Sequence, residues 1–570
     1  MEATKSKIDK LVRAPNLSTI TSTGSETIQS KRSTLPVSDE FRFDKRNHIF
    51  NVPMNHPTRF DAEVASCVIH GQVPPQLDGT FYRVAPDPMF ANRTGKDTWV
   101  NGDGTVHAWR FSNGVVDFKQ KYVRTPRFVH ERVARQSLYG AYRNPLSNDD
   151  RVKDGIQSSG NTHVNYWKGL LLANKEDSPP IALDPDTLET LGIYDFEGQI
   201  RPSKTLTAHP KVDFKTGETM TFGMEASGLG SDDLAYFRFD KHGKKLDECW
   251  IKTPGVSWTH DMIATDNWVV FHMSNFELDM DYMKKENGEH FRLNRFRPNR
   301  YIVLPRRNPK PQDVRVFDSL KNHFWGHFAN GFEEDDGCIY LDAYMGDGDA
   351  LAAFSSMHPE LETGNGKQPI NGKLVRFKIN PYATFAELEY PKVLSDVHGE
   401  MPRCDDRFAT RKHRHVYGSR VSSTGFNGVM HVDTFTGITQ VWEAGNGVLV
   451  GETCFVPRSP NAAEGDGYLL VCTRDPNLRQ AHLTILDASN VVAGPVAVID
   501  LPFQLQEGVH GNWVNASDMP VRKPIVDYSG VTKEIQAKFG TGRPHPYEEF
   551  TGKPVALTWD DAITHPYLKS

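Results

Sequence analysis

The stretch Val432-Asp-Thr-Phe-Thr-Gly437 runs directly into Ile438-Thr-Gln-Val-Trp442. Two short runs of β-branched and aromatic residues flank a turn built from Asp, Thr and Gly, which is the pattern of an antiparallel hairpin. The same unit recurs as Leu170–Lys175 then Ile181-Ala-Leu before Asp184-Pro-Asp-Thr, and as Tyr236-Phe-Arg-Phe before Asp240-Lys-His-Gly. It returns as Leu374-Val-Arg-Phe-Lys-Ile before Asn380-Pro, and as Leu483-Thr-Ile-Leu-Asp-Ala-Ser before Val491. Such units continue from about residue 60 to about residue 515 without a Gly/Ser linker, and only Glu131–Tyr139 and Val531–Phe539 are compatible with helix. More than twenty short strands in one run must hide their edges, and a β-propeller does so by radial repetition. The periodicity predicts an all-β propeller but does not count its blades. Seven four-stranded blades would take roughly 65–70 residues each, more than compact repeats use, so long loops must gather on one face.

Composition excludes several classes of function. The 570 residues carry 66 Lys+Arg against 72 Asp+Glu, a net charge of -6. A chain built to coat nucleic acid or an anionic membrane carries a basic excess instead. No apolar run approaches the length of a membrane helix. The six cysteines are scattered without a CxxC pair, which reads as reduced thiols and a cytoplasmic location. Residues 1–40 hold thirteen Ser/Thr and both charge signs; they read as a disordered N-terminal extension, with no apolar signal segment after Met1. Residues 41–570 read as a single β-propeller domain.

Common catalytic signatures are missing: there is no GxxxxGK[ST], HExxH or GxSxG. Asn101-Gly-Asp-Gly and Gly346-Asp-Gly-Asp read as β-turns rather than phosphate or calcium loops. The seven basic residues between Arg292 and Lys310 read as a solvated loop followed by a strand, Tyr301–Leu304.

The histidines carry more. Any one of the 22, taken alone, reads as a surface or hydrogen-bonded core residue. Four stand at the edge of an apolar or aromatic strand segment: His209 in Ala-His-Pro-Lys, His260 in Thr-His-Asp, His327 in Gly-His-Phe-Ala-Asn and His510 in Val-His-Gly-Asn-Trp. They are 51, 67 and 183 residues apart. In a propeller the inner strands of different blades converge on one axis, so ligands distant in sequence can meet at one metal.

These four contexts, in this order, resemble the carotenoid cleavage oxygenase family. The resemblance covers roughly residues 45–515 and includes Asn101-Gly-Asp-Gly, Arg300-Tyr-Ile-Val-Leu-Pro-Arg306, Asn330 and Glu333, Gly399-Glu-Met-Pro-Arg403 and Glu452-Thr-Cys-Phe-Val-Pro457. It implies a seven-bladed β-propeller with a loop/helix cap over an axial metal site. It further implies non-haem iron, Fe(2+), held by His209, His260, His327 and His510. Glu176, Glu400 and Glu452 fall on the carboxylates that stand behind the ligands, leaving His209 without one. A ligating imidazole commonly donates its other N–H to a carboxylate, which fixes tautomer and ring direction. Four neutral imidazoles leave two octahedral positions open for O2 or solvent. Ligand type alone also suits Zn, Cu or Ni, so iron rests on the resemblance.

Within the family, stilbene-cleaving members carry a Tyr and a Lys that grip the 4-hydroxyl of the substrate ring, and these fall on Tyr142 and Lys175. Thr162 matches a threonine that leans over an open iron position and helps direct O2. The resemblance therefore implies a dioxygenase that cleaves the central double bond of 4-hydroxystilbenes such as resveratrol and piceatannol. Its partners would be O2 and a small phenolic stilbene, with no nucleic acid, no integral membrane segment and no peripheral membrane contact. Two other readings stay open: an apocarotenoid or carotenoid cleaver, and a metal-free propeller serving as an interaction scaffold.

Overall fold

The turn inside the opening stretch shows how the strands are made. Asp433 Oδ1 accepts from the backbone N–H groups of Phe435 (3.0 Å) and Thr436 (3.3 Å), and Gly437 takes φ +75°. The chain reverses there, and Gly425–Asp433 pairs antiparallel with Thr439–Glu443. The pattern Asp-x-x-Thr-Gly repeats at Asp213–Gly217, with Gly217 at φ +71°. At Asp184 the place of the glycine is taken by Leu188, held at φ +58°. The structure is a computed structural model that describes residues 57–526, apart from 95–98, 287, 289, 295, 320–322, 325, 348–371, 384–386, 423–424, 446, 476–477, 479 and 520–521. The described residues belong to one compact unit, Phe43–Ser570. The predicted extension over residues 1–40 and the helix-compatible piece Val531–Phe539 lie outside them.

The described strands form six larger sheets and one two-stranded hairpin. The eight-stranded sheet is two blades sharing the long strand Lys392–Arg403, whose first part pairs with Lys373–Ile379 and whose second part pairs with His415–Ser422. Division there gives seven blades. Their innermost strands are His163–Trp167, Lys211–Asp213, Met262–Ala264, Phe328–Glu333, the second half of Lys392–Arg403, Leu449–Pro457 and Gly511–Asn515. Gly511–Asn515 joins the blade containing Gly79–Pro86, at the other end of the sequence. Val68–Gly71 completes the outer edge of the last blade by pairing with Pro495–Asp500. The ring is thus closed twice, by strands from opposite ends of the sequence.

Each adjacent pair of blades encloses an apolar layer. Phe81, Trp109 and Phe118 of the first blade meet Leu470, Leu483 and Ile499 of the last, and corresponding clusters fill the other junctions. Central strands are therefore buried on both faces, as in Gly79–Pro86, where every residue is buried. Polar ties cross the same junctions. Arg306, which follows the expected strand Tyr301–Leu304 in the basic stretch, is fully buried and pairs with Asp213 (2.7 Å) and Glu218 (2.6 Å) of the preceding blade. All six cysteines are free thiols, and no helix among the described residues is long and apolar enough to cross a membrane.

Among the described residues the α-helices are Pro126–Ala134 and Met280–Glu286. The helix expected near Glu131–Tyr139 runs instead from Pro126 to Ala134. Thr125 caps it by accepting from Phe128 N at 3.0 Å, with proline at the first position, and Arg135 ends it in the left-handed region at φ 56°. Glu131 then accepts from Leu138 N (2.8 Å) and Tyr139 N (2.9 Å), which turns that segment out of the helix. Gly346 and Asp347 also depart from expectation: they end the strand Ile339–Asp347 rather than forming a turn. Asn101 lies in a 3-10 turn, and Gly104 already begins the strand Gly104–Ser112.

The loop carrying Tyr142 is tied down by its neighbours. Asn144 Nδ2 donates to Met283 O (3.1 Å) and Gly288 O (2.6 Å), and Arg143 pairs with buried Glu225, which also accepts from His290 Nε2 at 2.9 Å. Burial raises the Glu225 pKa, but the Arg143 charge and the His290 hydrogen bond outweigh it and hold the group at about 2. That lies below the unfolded value of about 4.3, so a contribution of about 3 kcal/mol is complete above that pH and lost as pH falls towards 2. Glu225→Gln should therefore lower the melting temperature near neutrality and flatten its fall between about pH 5 and about pH 2. Parallel melting curves for the two proteins would remove this role.

Candidate active site

The seven inner strands bring their heads to the axis, and the chemistry-bearing residues sit there. His209, His260, His327 and His510 each stand one or two residues before an inner strand, Thr162 and His163 open another, and Glu400 and Glu452 lie on the remaining two. The possible ligand atoms of the four histidines all lie within 4.8 Å of one another. His209 Nε2 is 3.0 Å from His260 Nε2, which is 3.2 Å from His327 Nε2. His510 Nε2 is buried without a protein partner.

Carboxylates fix which way these rings face. His260 Nδ1 meets Glu176 Oε1, His327 Nδ1 is 3.0 Å from Glu400 Oε2, and His510 Nδ1 is 2.9 Å from Glu452 Oε1. An ionised carboxylate only accepts, so each Nδ1 carries the proton and each Nε2 presents a lone pair. The 3.2 Å contact between His260 Nε2 and His327 Nε2 is therefore a lone pair facing a lone pair, an arrangement that a cation resolves. Two nitrogens about 2.1 Å from one ion at right angles lie about 3.0 Å apart, so the spacing fits a metal. Among the described residues His209 has no carboxylate partner.

Electrostatics agree with a metal-ready site. Burial, then the neighbouring His260, His510 and His327, hold the His209 pKa well below its ordinary value, and burial brings His510 to about 4. These rings keep their lone pairs free at neutral pH. Burial alone would raise Glu176 and Glu452, but His260 for the first and Arg403 with His510 for the second hold both below the ordinary carboxylate range. For His327 burial is likewise the largest influence, yet Glu400 outweighs it and moves the pKa upward.

Two further groups hold the ligand strands, and neither stands out in the sequence alone. Asp261, next to His260, pairs with Lys211 (2.7 Å) and accepts from Phe328 N (3.0 Å), so one buried carboxylate links the strands that follow His209, His260 and His327. Arg403 donates to Gly511 O (2.9 Å) and lies 3.3 Å from Glu452 Oε2. Both residues lay inside quoted motifs, Thr-His-Asp and Glu-Met-Pro-Arg, but only the folded ring shows what they meet.

On the cap side, Lys175 is buried, donates to Val100 O (2.8 Å) and Asn161 Oδ1 (3.0 Å), and lies 3.5 Å from Thr162 Oγ1. Its Nζ is 4.8 Å from the centroid of the Tyr142 ring. The Tyr142 hydroxyl donates to Glu176 Oε2 at 3.3 Å, and burial followed by the Glu176 charge keeps it a neutral phenol. Thr162, a β-branched residue, is held at φ 114°, with its carbonyl accepting from His510 N at 3.2 Å. Such strain persists only where the surroundings impose it, and it clusters at functional sites. A cavity of about 170 Å³ reaches His209, His327 and His510 along the axis between Lys211, Asn330 and Arg403; neither Tyr142 nor Lys175 lines it.

Removing one imidazole should abolish binding, whereas neutralising the group behind it should only weaken it. His260→Ala should lose stoichiometric metal by elemental analysis, and Glu400→Gln should bind it about 10–100-fold more weakly. Full metal content in His260→Ala would exclude it as a ligand.

The sequence matches the family described as retinal pigment epithelial membrane protein over residues 55–515. Resveratrol cleavage oxygenase 1 of Aspergillus fumigatus is 39% identical over 482 residues, 81% of this chain and 95% of the relative. Carotenoid cleavage oxygenase 1 of Neurospora crassa is 40% identical over 486 residues, covering 81% and 90%. The crystal structure of Pseudomonas brassicacearum lignostilbene dioxygenase matches with a TM-score of 0.77 at 35% identity, over 85% of this chain and 100% of that one. The solved relative, the seven-bladed ring and the match over residues 55–515 agree: the chain belongs to the retinal pigment epithelial membrane protein family, the carotenoid cleavage oxygenases.

Proposed function

We propose that the protein is an Fe(II)-dependent dioxygenase that cleaves the central C=C bond of 4-hydroxystilbenes, resveratrol and piceatannol among them, into two aromatic aldehydes. The observation that carries this reading is the buried Lys175 ammonium beside Tyr142, whose hydroxyl is bonded to the same Glu176 that orients His260. A grip for a phenol is thereby joined to the metal-ligand shell. The similarity to the Aspergillus relative and to the lignostilbene dioxygenase structure supports the same substrate class.

His209, His260, His327 and His510 would hold the iron, which when bound would supply dioxygen activation. The remaining chemistry belongs to the chain. A phenol ionises near pH 10, so the Lys175 ammonium and the Tyr142 hydroxyl, both donors, stabilise the phenolate by charge-assisted hydrogen bonds. A phenolate para to an alkene pushes electron density into the double bond and makes it reactive towards an electrophilic oxidant. A polyene has no acidic proton for Lys175 to act on. Thr162, fixed by Asn161 and the His510 backbone, is assigned to directing O2. The same reading places the enzyme in the cytoplasm, taking its substrate from water.

Incubation with Fe(II), O2 and resveratrol should yield 4-hydroxybenzaldehyde and 3,5-dihydroxybenzaldehyde; turnover of an apocarotenal alone would overturn the substrate assignment, and a preparation that takes up no stoichiometric iron would favour a scaffold. Lys175→Met should keep its iron and lose about a hundredfold or more in turnover. A stilbene lacking the 4-hydroxyl should be a poor substrate, and its normal turnover would remove the role given to Lys175.

A further inference from the structure

A second polar cluster lies at the junction of the first and last blades, away from the cap. A small cavity there, about 20 Å³, is lined by Arg83, His107, Cys472, Arg474, Glu507 and Gly508. Arg83 is 1% exposed and Arg474 6%. Their known partners use only part of their donor capacity. Arg83 Nη2 donates to Gly508 O, and Arg474 Nη2 lies 3.2 Å from Glu507 Oε2; the other Glu507 oxygen is 4.0 Å from Arg83 Nη2. Arg83 Nε and Nη1 and Arg474 Nε are buried without a hydrogen-bond acceptor, and His107 Nδ1 is buried without a partner. Arg83 and the Trp109 indole N–H face the sulfur of Cys472, which accepts only weakly.

The slot is built for a guanidinium. A Cβ on Gly451 would stand 2.1 Å from Arg83 Nη2, and one on Gly508 would stand 2.0 Å from Arg83 Nε. Both positions adjoin the active site: Gly451 precedes Glu452, and Gly508 stands two residues before His510. Charge does not balance among the lining residues. Two guanidiniums face one carboxylate, and His107 is neutral, because burial and then Arg83 lower its pKa to about 3. The volume exceeds the 10–15 Å³ or so that one water needs. Water, however, brings no charge, whereas the unused arginine N–H groups are donors around an uncompensated positive charge.

We propose that this cavity is a binding site for one small monovalent anion of halide size, held by Arg83 Nε and Nη1 and Arg474 Nε, and that the bound ion pins the Glu507–Val509 segment that presents His510. The site is independent of the substrate assignment. In thermal unfolding of the full chain, sodium chloride or bromide should raise the melting temperature saturably above matched sodium gluconate, whose anion is too large to enter. Arg474→Met should lose that halide increment. Crystals of the wild-type protein soaked in bromide should show an anomalous peak between Arg83 and Arg474, and this measurement decides even if the variant fails to fold. Coincident chloride and gluconate curves, or density at the site without an anomalous peak, would identify water there and overturn the proposal.

Discussion

Four imidazole rings converge on one small volume, two of the contacts at 3.0 and 3.2 Å, and the rest of the structure answers to that constraint. Like-polarity groups do not gather unaided. Each of three rings is held by a carboxylate on its far nitrogen, and each carboxylate is itself tied to backbone, a cation or a hydroxyl: Glu400 to Gly326 N, Glu452 to Gly511 N and Arg403, Glu176 to the Tyr142 hydroxyl. The geometry is thus stored in the protein, so that little reorganisation accompanies metal binding. His209 lacks such a partner; the strand that follows it is fixed through Lys211 and Asp261 instead.

The propeller suits this task because it separates two demands. Cohesion comes from apolar layers between blades, and the axis is left free for polar groups. Four blades bring histidines, two bring Glu400 and Glu452, and the remaining one brings Thr162, His163 and Glu176. His163 is not among the converging ligands. Its Nδ1 is 2.7 Å from Ala208 O and its ring lies 6.0 Å from that of His209, so it braces the neighbouring blade.

Much of this was legible in the sequence, for identifiable reasons. The Asp-x-x-Thr-Gly turns and alternating strands are local, and local chemistry is written in adjacent residues. The four histidines were legible because each sits at a fixed place before an inner strand. What escaped were pairings set by which blades meet. Arg306 is one of seven cations between Arg292 and Lys310 with nothing local to pair it, yet it is buried against Asp213 and Glu218, 93 and 88 positions away. The apolar pattern points to Glu131–Tyr139 while the helix starts at the cap Thr125-Pro126, and Gly346-Asp347 reads as a turn because its strand partner, His323–Phe324, lies outside any local window.

The double closure of the ring also sets an order of events. The first blade lacks its innermost strand until Gly511–Asn515 has been made, and the last blade takes its outer edge from Val68–Gly71. During synthesis the first blade must therefore wait, unfinished, for a segment more than four hundred residues later. Pairings this distant in sequence are slow, because the loop must close before the contact repays it. His510 arrives with that final strand, so the fourth imidazole joins the other three only when the ring shuts, and a partly made chain offers a metal an incomplete set.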